Sequence, residues 1–225
     1  MQKIVIGLSG GMDSATLLGL LLEQGAEVHC CHFQYGSKQN KYEQEAVANI
    51  LQYYRGKEYP IRIHPINLEK VFCLFSSNLL LSGEEIPEGH YESESMKKTV
   101  VPGRNTIFSS IMLGLAESIE ADYIGLGVHS GDHHIYPDCR KEYIKSLDTT
   151  LYLASDRKVQ VITPLIDDDK ASILFKGFKL DPPVPYHLTR TCYKDQLLAC
   201  GKCGSCRERL EAFSKVGIKD PIQYE

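Results

Sequence analysis

Two short stretches of this chain set residues at spacings that chemistry uses. The first is Ser9-Gly10-Gly11-Met12-Asp13-Ser14. Adjacent glycines let backbone N–H groups turn toward a ligand with no Cβ in the way. Ser9 and Ser14 add hydroxyl donors, and the apolar helical pattern that follows places Ser14 at a helix N-terminus, where the dipole favours anions. The expected product is a phosphate or pyrophosphate cradle. It lacks the Gly-Lys-Ser/Thr ending of a Walker A loop and does not read G-x-G-x-x-G. The second stretch is Cys192, Cys200, Cys203 and Cys206, spaced C-x7-C-x2-C-x2-C. Four thiolates this close suit a closed tetrahedral zinc site, with Gly201 and Gly204 letting the chain wrap one ion. An iron–sulfur cluster also takes four cysteines and is the rival reading.

Single residues add to these. Arg104 and Asn105 open a helical segment, where a guanidinium can hold phosphate or carboxylate bidentately or serve only as a cap. His129, Asp132 and Asp138 follow a strand and suit a metal or the edge of a purine; each alone is equally a structural residue. Lys170 can reach phosphate or stay solvated, and Cys139 is a nucleophile or a packing residue. Cys30, Cys31 and Cys73 lie in apolar segments and read as core thiols, and His29, His64 and His187 as structural.

The elements that must position these residues alternate. Short β-branched or apolar runs at 3–8, 27–33, 60–66, 122–128 and 159–165 read as strands. Apolar residues at helical spacing mark helices over 13–24, 42–54, 71–81, 104–119 and 140–153. Buried strands alternating with helices imply an α/β fold, a doubly wound parallel sheet whose ligands bind beyond the strand C-termini. Residues 82–98 carry Gly83, Pro87, Gly89 and the glutamates 84, 85, 88, 92 and 94, and read as a surface loop or lid. The breaker 181–185, DPPVP, divides a nucleotide-binding part, 1–180, from a zinc-binding tail, 181–225, too small for its own core.

Composition excludes other classes. The 225 residues are 43% apolar and 24% charged, ordinary for a soluble globular protein. No run approaches the ~20 apolar residues of a membrane span, and the N-terminus does not read as a signal peptide, so a cytoplasmic protein is expected. Eight cysteines there point to metal ligands or thiols rather than disulfides. The net charge of −4 argues against nucleic acid as a direct partner. The tail's six basic residues against three acidic ones between 190 and 215 mainly neutralise a four-thiolate site.

The strand–SGGMDS–helix unit resembles the PP-loop of the N-type ATP pyrophosphatases, and the whole chain resembles the 7-cyano-7-deazaguanine synthase (QueC) family of PP-loop ligases. The resemblance rests on SGGMDS, FQYGSKQN (33–40), VPGRN (101–105), GVHSGDHHIYPDCR (127–140), the cysteine-rich segment 191–213 and DPIQY (220–224). It implies the adenine nucleotide alpha hydrolase-like fold and contacts to ATP from Leu8, Ser9, Gly10, Gly11, Met12, Asp13, Ser14, His32, Phe33, Arg104 and Asn105. It implies substrate contacts from His129, Asp132, Tyr136, Asp138 and Arg140, and catalysis by Asp13, Ser14, Arg104, Asp132 and Lys170. It also implies Mg2+ with ATP, Zn2+ on the four cysteines and a homodimer. The activity implied is the ATP-dependent conversion of 7-carboxy-7-deazaguanine and ammonia to the nitrile through an acyl-adenylate and an amide. One departure is Gln39, where the family carries histidine. It motivates an alternative that stops at the amide or passes the acyl group to another amine, such as a protein's. A tRNA-thiolating enzyme using Cys139 and a zinc adaptor without catalysis are the remaining rivals.

Overall fold

A computed structural model describes residues 1–91 and 93–225; Glu92, one of the five glutamates named above, lies outside the described residues. Strand and helix alternate as β1 (Lys3–Gly7), α1 (Met12–Glu23), β2 (Glu27–Gln34), α2 (Asn40–Arg55), β3 (Ile61–Asn67), α3 (Glu69–Phe72), α4 (Arg104–Ile119), β4 (Tyr123–Gly125), α5 (Lys141–Ala154), β5 (Gln160–Ile162), α6 (Lys170–Lys179) and α7 (Gly204–Val216). The described strands form one parallel sheet in the order β3-β2-β1-β4-β5, with Ile4 opposite both Val28 and Tyr123. The chain winds outward from β1 to β3 and then returns to the other side of β1. The crevice between the C-termini of β1 and β4 is therefore the switch point, where open α/β sheets bind ligands.

Strand alternation assigns the two faces. Ile4 and Ile6 point into a core built from α1, α2, α6 and α7, with Leu17, Leu18, Ile50, Leu174 and Phe213. Val5 points the other way, toward Met112 and Ala116 of α4 and Ile144 and Leu147 of α5. Helix α1 is buried on nearly every side, which explains its near-continuous apolar sequence. Gly25, at φ +78°, ends that segment as the sequence implies.

The expected helix over 71–81 stops at Phe72. Ser77 and Asn78 turn the chain instead: Ser77 Oγ accepts from Leu79 N at 3.2 Å and Asn78 Nδ2 donates to the Glu85 carbonyl at 2.9 Å. Leu79 and Leu80 are then buried against the loop after β2, where Leu80 bridges to Ser37, while Leu74 and Leu81 stay exposed. Cys73 follows the helix end and is exposed, not a core thiol; Cys30 and Cys31 are buried as expected. Strand β4 is shorter than the apolar run 122–128 because Leu126, Gly127 and Val128 leave the sheet to line the site, and β5 is shorter than 159–165, with Leu165 beyond it buried in the α1–α6 core. The described residues of 82–98 are tied down rather than merely solvated, with Ile86, Tyr91 and Met96 buried and the turn Glu94–Thr99 wound as a 3-10 helix.

The C-terminal segment packs on both faces of the sheet. Ala212 and Phe213 join the α1–α6 core, and the four clustered cysteines join the other. Arg209, fully buried, anchors it: Nε and Nη2 donate to the Asp220 carboxylate at 2.7 and 2.9 Å, Nη1 to Thr189 Oγ1 at 2.7 Å, and Nη2 to the Tyr186 carbonyl at 3.0 Å. Removing one partner of such a pair strands the other charge. Arg209→Met is expected to lower the unfolding free energy by about 3–5 kcal/mol in urea titrations; a change below about 1 kcal/mol would contradict this account of the anchor. Among the described residues no helix is long and apolar enough to cross a membrane.

Candidate active site

The SGGMDS loop leaves β1 and enters α1 at the switch point. Gly10 adopts φ +84°, and a Cβ there would lie 2.9 Å from both Ala46 Cβ and the Glu43 carbonyl, so only glycine fits without displacement. Gly11 caps α1 with no side-chain hydrogen bond, which leaves the first amides of a twelve-residue helix free for an anion. Ser9 and Ser14 face each other, Oγ to Oγ 3.1 Å, and Gly11 N donates to Ser9 Oγ at 3.3 Å. Across the crevice Gly127 passes so close that a Cβ would lie 3.3 Å from Ser14 N. The cleft above is open at its mouth and has a cavity volume of about 240 Å³.

Beneath the loop four segments bring charged groups together. Asp13 comes from the first turn of α1, and Lys170 from the start of α6, which Asp169 caps by accepting from Ser172 N at 2.8 Å. His129 and Asp132 come from the turn after β4, and Glu208 from α7 in the cysteine-bearing tail. Lys170 Nζ donates to Asp13 Oδ2 at 2.6 Å and lies 3.3 Å from Glu208 Oε2. His129, fully buried, has Nε2 3.5 Å from Asp132 Oδ1, 3.8 Å from Asp13 Oδ2 and 4.0 Å from Glu208 Oε1. Its Nδ1 accepts from Gly131 N at 3.1 Å, so in the neutral ring the proton sits on Nε2, facing the carboxylates. Burial opposes charge on Asp13, but Lys170 and His129 outweigh it and hold its carboxyl below the usual range. Burial likewise opposes the Lys170 charge, yet Asp13, Glu208 and Asp132 hold its pKa above that of an ordinary lysine. Burial pushes Glu208 up, with Lys170 offsetting part of the effect. Asp13 Oδ1 is buried with no hydrogen-bond partner among the described residues.

The far wall carries the Arg104 cation. Arg104 Cζ lies 6.0 Å from the ring centroids of both Tyr35 and Tyr136, and Nη1 donates to Tyr35 Oη at 3.4 Å. Among the described residues no carboxylate forms an ion pair with it. Phe33 stacks on Phe108 with centroids 4.0 Å apart, and Leu8, Met12 and His32 complete the floor near β1 and β2. His32 Nδ1 lies 3.0 Å from the Leu8 carbonyl and must be the donor, so Nε2 is left as a buried acceptor without a partner among the described residues. Burial lowers the His32 pKa, which keeps the ring neutral.

Leu8, Ser9, Gly11, Met12, Asp13, Ser14, His32, Phe33, Arg104, Asn105, Asp132, Tyr136 and Lys170 line the cleft. Gly10 shapes the loop from behind, and His129 lies beneath the surface. Asp138 does not line it: its Oδ2 accepts from Asn105 N at 3.0 Å and so holds the start of α4. Arg140 points away, Nε donating to the His133 carbonyl at 3.0 Å, and is exposed. Cys139 lines the cleft, but burial, with Asp132 and Asp138 beside it, pushes its thiol far above the ordinary value. Cys139→Ala is therefore expected to keep at least about half of native turnover; a loss of tenfold or more would make the thiol a participant. Sequence reasoning missed Glu208, Tyr91, Tyr35, Glu43 and Tyr193, all cleft residues. Tyr91 donates to Asp132 Oδ1 at 2.8 Å from the segment read as a lid. Glu208 lies off the Arg209, Ala212, Phe213, Val216 stripe of α7, about a quarter turn away, so helical periodicity alone could not mark it as a cleft residue.

The four cysteine sulfurs lie within 4.8 Å of one another, all buried. Sulfurs around one tetrahedral ion at ~2.3 Å stand about 3.8 Å apart, and Cys200 and Cys206 Sγ are 3.9 Å apart. Lys202 N and Cys203 N donate to Cys200 Sγ at 3.4 and 3.3 Å, and Cys200 N to Cys192 Sγ at 3.4 Å, as suits thiolate acceptors. A four-iron cube would hold each thiolate at a separate corner, farther apart than sulfurs around one ion. The donor set fits a single soft-ligand ion.

Fold and loop together define a class, the PP-loop α/β proteins. Solved structures with this architecture include U34-tRNA thiolase NcsA from Methanococcus maripaludis with its [4Fe-4S] cluster, at TM-score 0.51 and 16% identity, covering 95% of this chain and 65% of that one. Another is a 4-thiouridine synthetase–RNA complex with bound ATP, at TM-score 0.53 and 22% identity, covering 96% and 51%. This chain spans about two thirds and half of their lengths, and the likeness is one of fold. The chain belongs to the queuosine biosynthesis protein QueC family, which matches residues 3–217. It is 41% identical to the 7-cyano-7-deazaguanine synthase of Pseudoalteromonas atlantica (strain T6c / ATCC BAA-1087), covering 100% of this chain and 99% of that one. It is 43% identical to that of Caldicellulosiruptor saccharolyticus (strain ATCC 43494 / DSM 8903 / Tp8T 6331), covering 100% and 96%.

Proposed function

We propose that this protein is an ATP-dependent carbon–nitrogen ligase that converts 7-carboxy-7-deazaguanine and ammonia to 7-cyano-7-deazaguanine. The observation that carries the proposal is the joining, in one cleft, of an anion cradle at the head of α1 to the Arg104 guanidinium, which makes no ion pair among the described residues. An adenylating ligase needs both: a place for pyrophosphate to leave and a cation to hold the attacking carboxylate against the α-phosphate. Full-length relatedness to the synthases supports the choice of acid.

The free amides of α1, with Ser9 and Ser14, receive the β- and γ-phosphates. His32 Nε2 accepts from the adenine amino group, and Leu8 and Phe33 flank the base. Lys170 faces the phosphates and neutralises charge that builds as pyrophosphate departs. The carboxylate attacks the α-phosphorus, the bond to the bridging oxygen breaks, and ammonia then displaces AMP to give the amide. A second adenylation on the amide oxygen and loss of AMP leaves the nitrile, so each carboxylate oxygen departs on an AMP. Magnesium, when bound with ATP, supplies Lewis-acid charge at the phosphates; the unpartnered Asp13 Oδ1 is a hard donor of the kind it takes. Zinc on Cys192, Cys200, Cys203 and Cys206 holds the tail, 181–225, and with it Glu208, against the nucleotide-binding part, 1–180. A homodimer and a cytoplasmic location belong to the same reading.

The test is isotopic. With 18O in the substrate carboxylate, mass spectrometry should find the label in AMP and none in pyrophosphate. Unlabelled AMP would remove carboxylate adenylation and the proposal with it.

A further inference from the structure

One wall of the cleft carries the reverse of Arg104: a carboxylate that makes no ion pair among the described residues. Glu43, in the first turn of α2, lines the cleft beside the glycine loop. Its Oε2 accepts from Ser37 Oγ at 3.0 Å and its Oε1 from Gln39 Nε2 at 3.3 Å. Among the described residues no Lys, Arg or His makes an ion pair with it. Gln39 lines the same wall, is 4% exposed, and its Oε1 is buried without a hydrogen-bond partner among the described residues. Because Gln39 Nε2 is directed at Glu43, that amide oxygen is committed to the acceptor role.

These two side chains therefore offer neighbouring acceptors, and the Arg104 and Arg190 charges act on the Glu43 carboxyl through space rather than by direct contact. The edge of a 2-amino-6-oxopurine that bears N1–H and the exocyclic 2-amino group presents neighbouring donors. The Watson–Crick edge of adenine instead presents one donor beside one acceptor, and would set its N1 lone pair against an acceptor. Burial raises the Glu43 carboxyl above the ordinary glutamate value, with Ser37, Gln39 and the Arg104 and Arg190 charges offsetting part of this. A ligand donating N–H groups would relieve that cost. Arg104 and Glu43 thus give the cleft a cation and a carboxylate that make no ion pair among the described residues. A deazaguanine acid carries their complements, a carboxylate on the five-membered ring and N–H donors on the six-membered one.

We propose that Glu43 and Gln39 form the specificity site that reads the N1–H and 2-amino edge of the deazaguanine. This rests on the reading of function given above. A site built to pair with a polar group rejects the analogue lacking it, since its own acceptors are left unpaired.

The experiment compares 7-carboxy-7-deazaguanine with its analogue lacking the 2-amino group, in native protein, Glu43→Gln and Gln39→Met. Turnover is followed as AMP release, and calorimetry measures binding of each acid without ATP. The native protein should prefer the amino compound by at least about tenfold in kcat/KM. In Glu43→Gln the KM for the deazaguanine acid should rise about tenfold or more, that for ATP should move less than about twofold, and the preference should vanish. Gln39→Met should shift both in the same direction by less. Native preference below twofold, or a Glu43→Gln variant that alters the ATP KM instead, overturns the proposal while leaving the function standing. If the native protein consumes neither acid, the functional reading falls and this proposal with it. Melting temperatures within a few degrees of native show that the variants fold; if Glu43→Gln does not fold, Gln39→Met and the native preference decide.

Discussion

Replacing Lys170 by methionine is expected to cut AMP release at least about a thousandfold, with the loss in kcat rather than in the KM for the deazaguanine acid. Lys170 Nζ sits 2.6 Å from Asp13 and 3.3 Å from Glu208, directly below the cradle. A buried ammonium acts in low dielectric, where charge that appears on a leaving pyrophosphate is stabilised far more than in water. Methionine keeps the length and removes the charge, so Asp13 and Glu208 are left facing each other. That costs about 3–5 kcal/mol of stability, and the two carboxylates relieve it by taking up a proton. Lys170→Arg keeps the charge with different geometry and should fall between the two. A methionine variant retaining more than about a tenth of native kcat would take Lys170 out of the reaction.

The same pair has a defined pH behaviour. Asp13 is held below its ordinary 3.8, so its contribution to stability is present above that value and is lost as pH falls through the lower folded value. Lys170 is held above its ordinary 10.5, so its contribution is present below that value and is lost as pH rises through the higher folded one. From about pH 5 to 9 stability from this pair should be flat, as thermal unfolding across that range will show.

Stripping the metal site should have the second large effect. Structural zinc sites contribute roughly 10–16 kcal/mol of apparent binding free energy in small peptides, comparable with the whole stability of a domain, about 5–15 kcal/mol. Cys206→Ser, or prolonged treatment with a strong chelator, should release one zinc per chain, expose the tail to protease and abolish AMP release together. Activity is included for a geometric reason. Cys206 and Glu208 are two residues apart on α7, and Glu208 reaches Lys170 and His129. Arg190 N, just before the first cysteine, donates to the Gly10 carbonyl at 2.8 Å. Loosening the tail thus displaces both a wall of the charge cluster and a support of the cradle. Iron in place of zinc by elemental analysis, or a stripped protein with full activity, would contradict this reading.

Much of the fold was legible in the sequence because its strongest signals are local. Helices α2, α4 and α5 bury one face and show it as periodicity, and the cradle and the cysteine cluster are contiguous. What escaped depends on contacts far apart in the chain. The apolar run 71–81 cannot reveal that Leu79 and Leu80 pack on the loop after β2 and leave Cys73 outside. Glu208, Tyr91 and Glu43 belong to a helix bearing cysteines, a supposed loop and an ordinary amphipathic helix; only the closure of the sheet gathers them at one crevice. Asp138 and Arg140 sit in the same stretch as Tyr136, but one caps α4 and the other faces outward. Motif resemblance places a segment, not the direction of each side chain in it.

The most direct measurement is product analysis by liquid chromatography and mass spectrometry, with 7-carboxy-7-deazaguanine, ATP, magnesium and ammonium. The account predicts 7-cyano-7-deazaguanine as the final product, with two AMP formed for each nitrile. An amide that accumulates with one AMP and never becomes nitrile, or AMP release that does not require the acid, would contradict it.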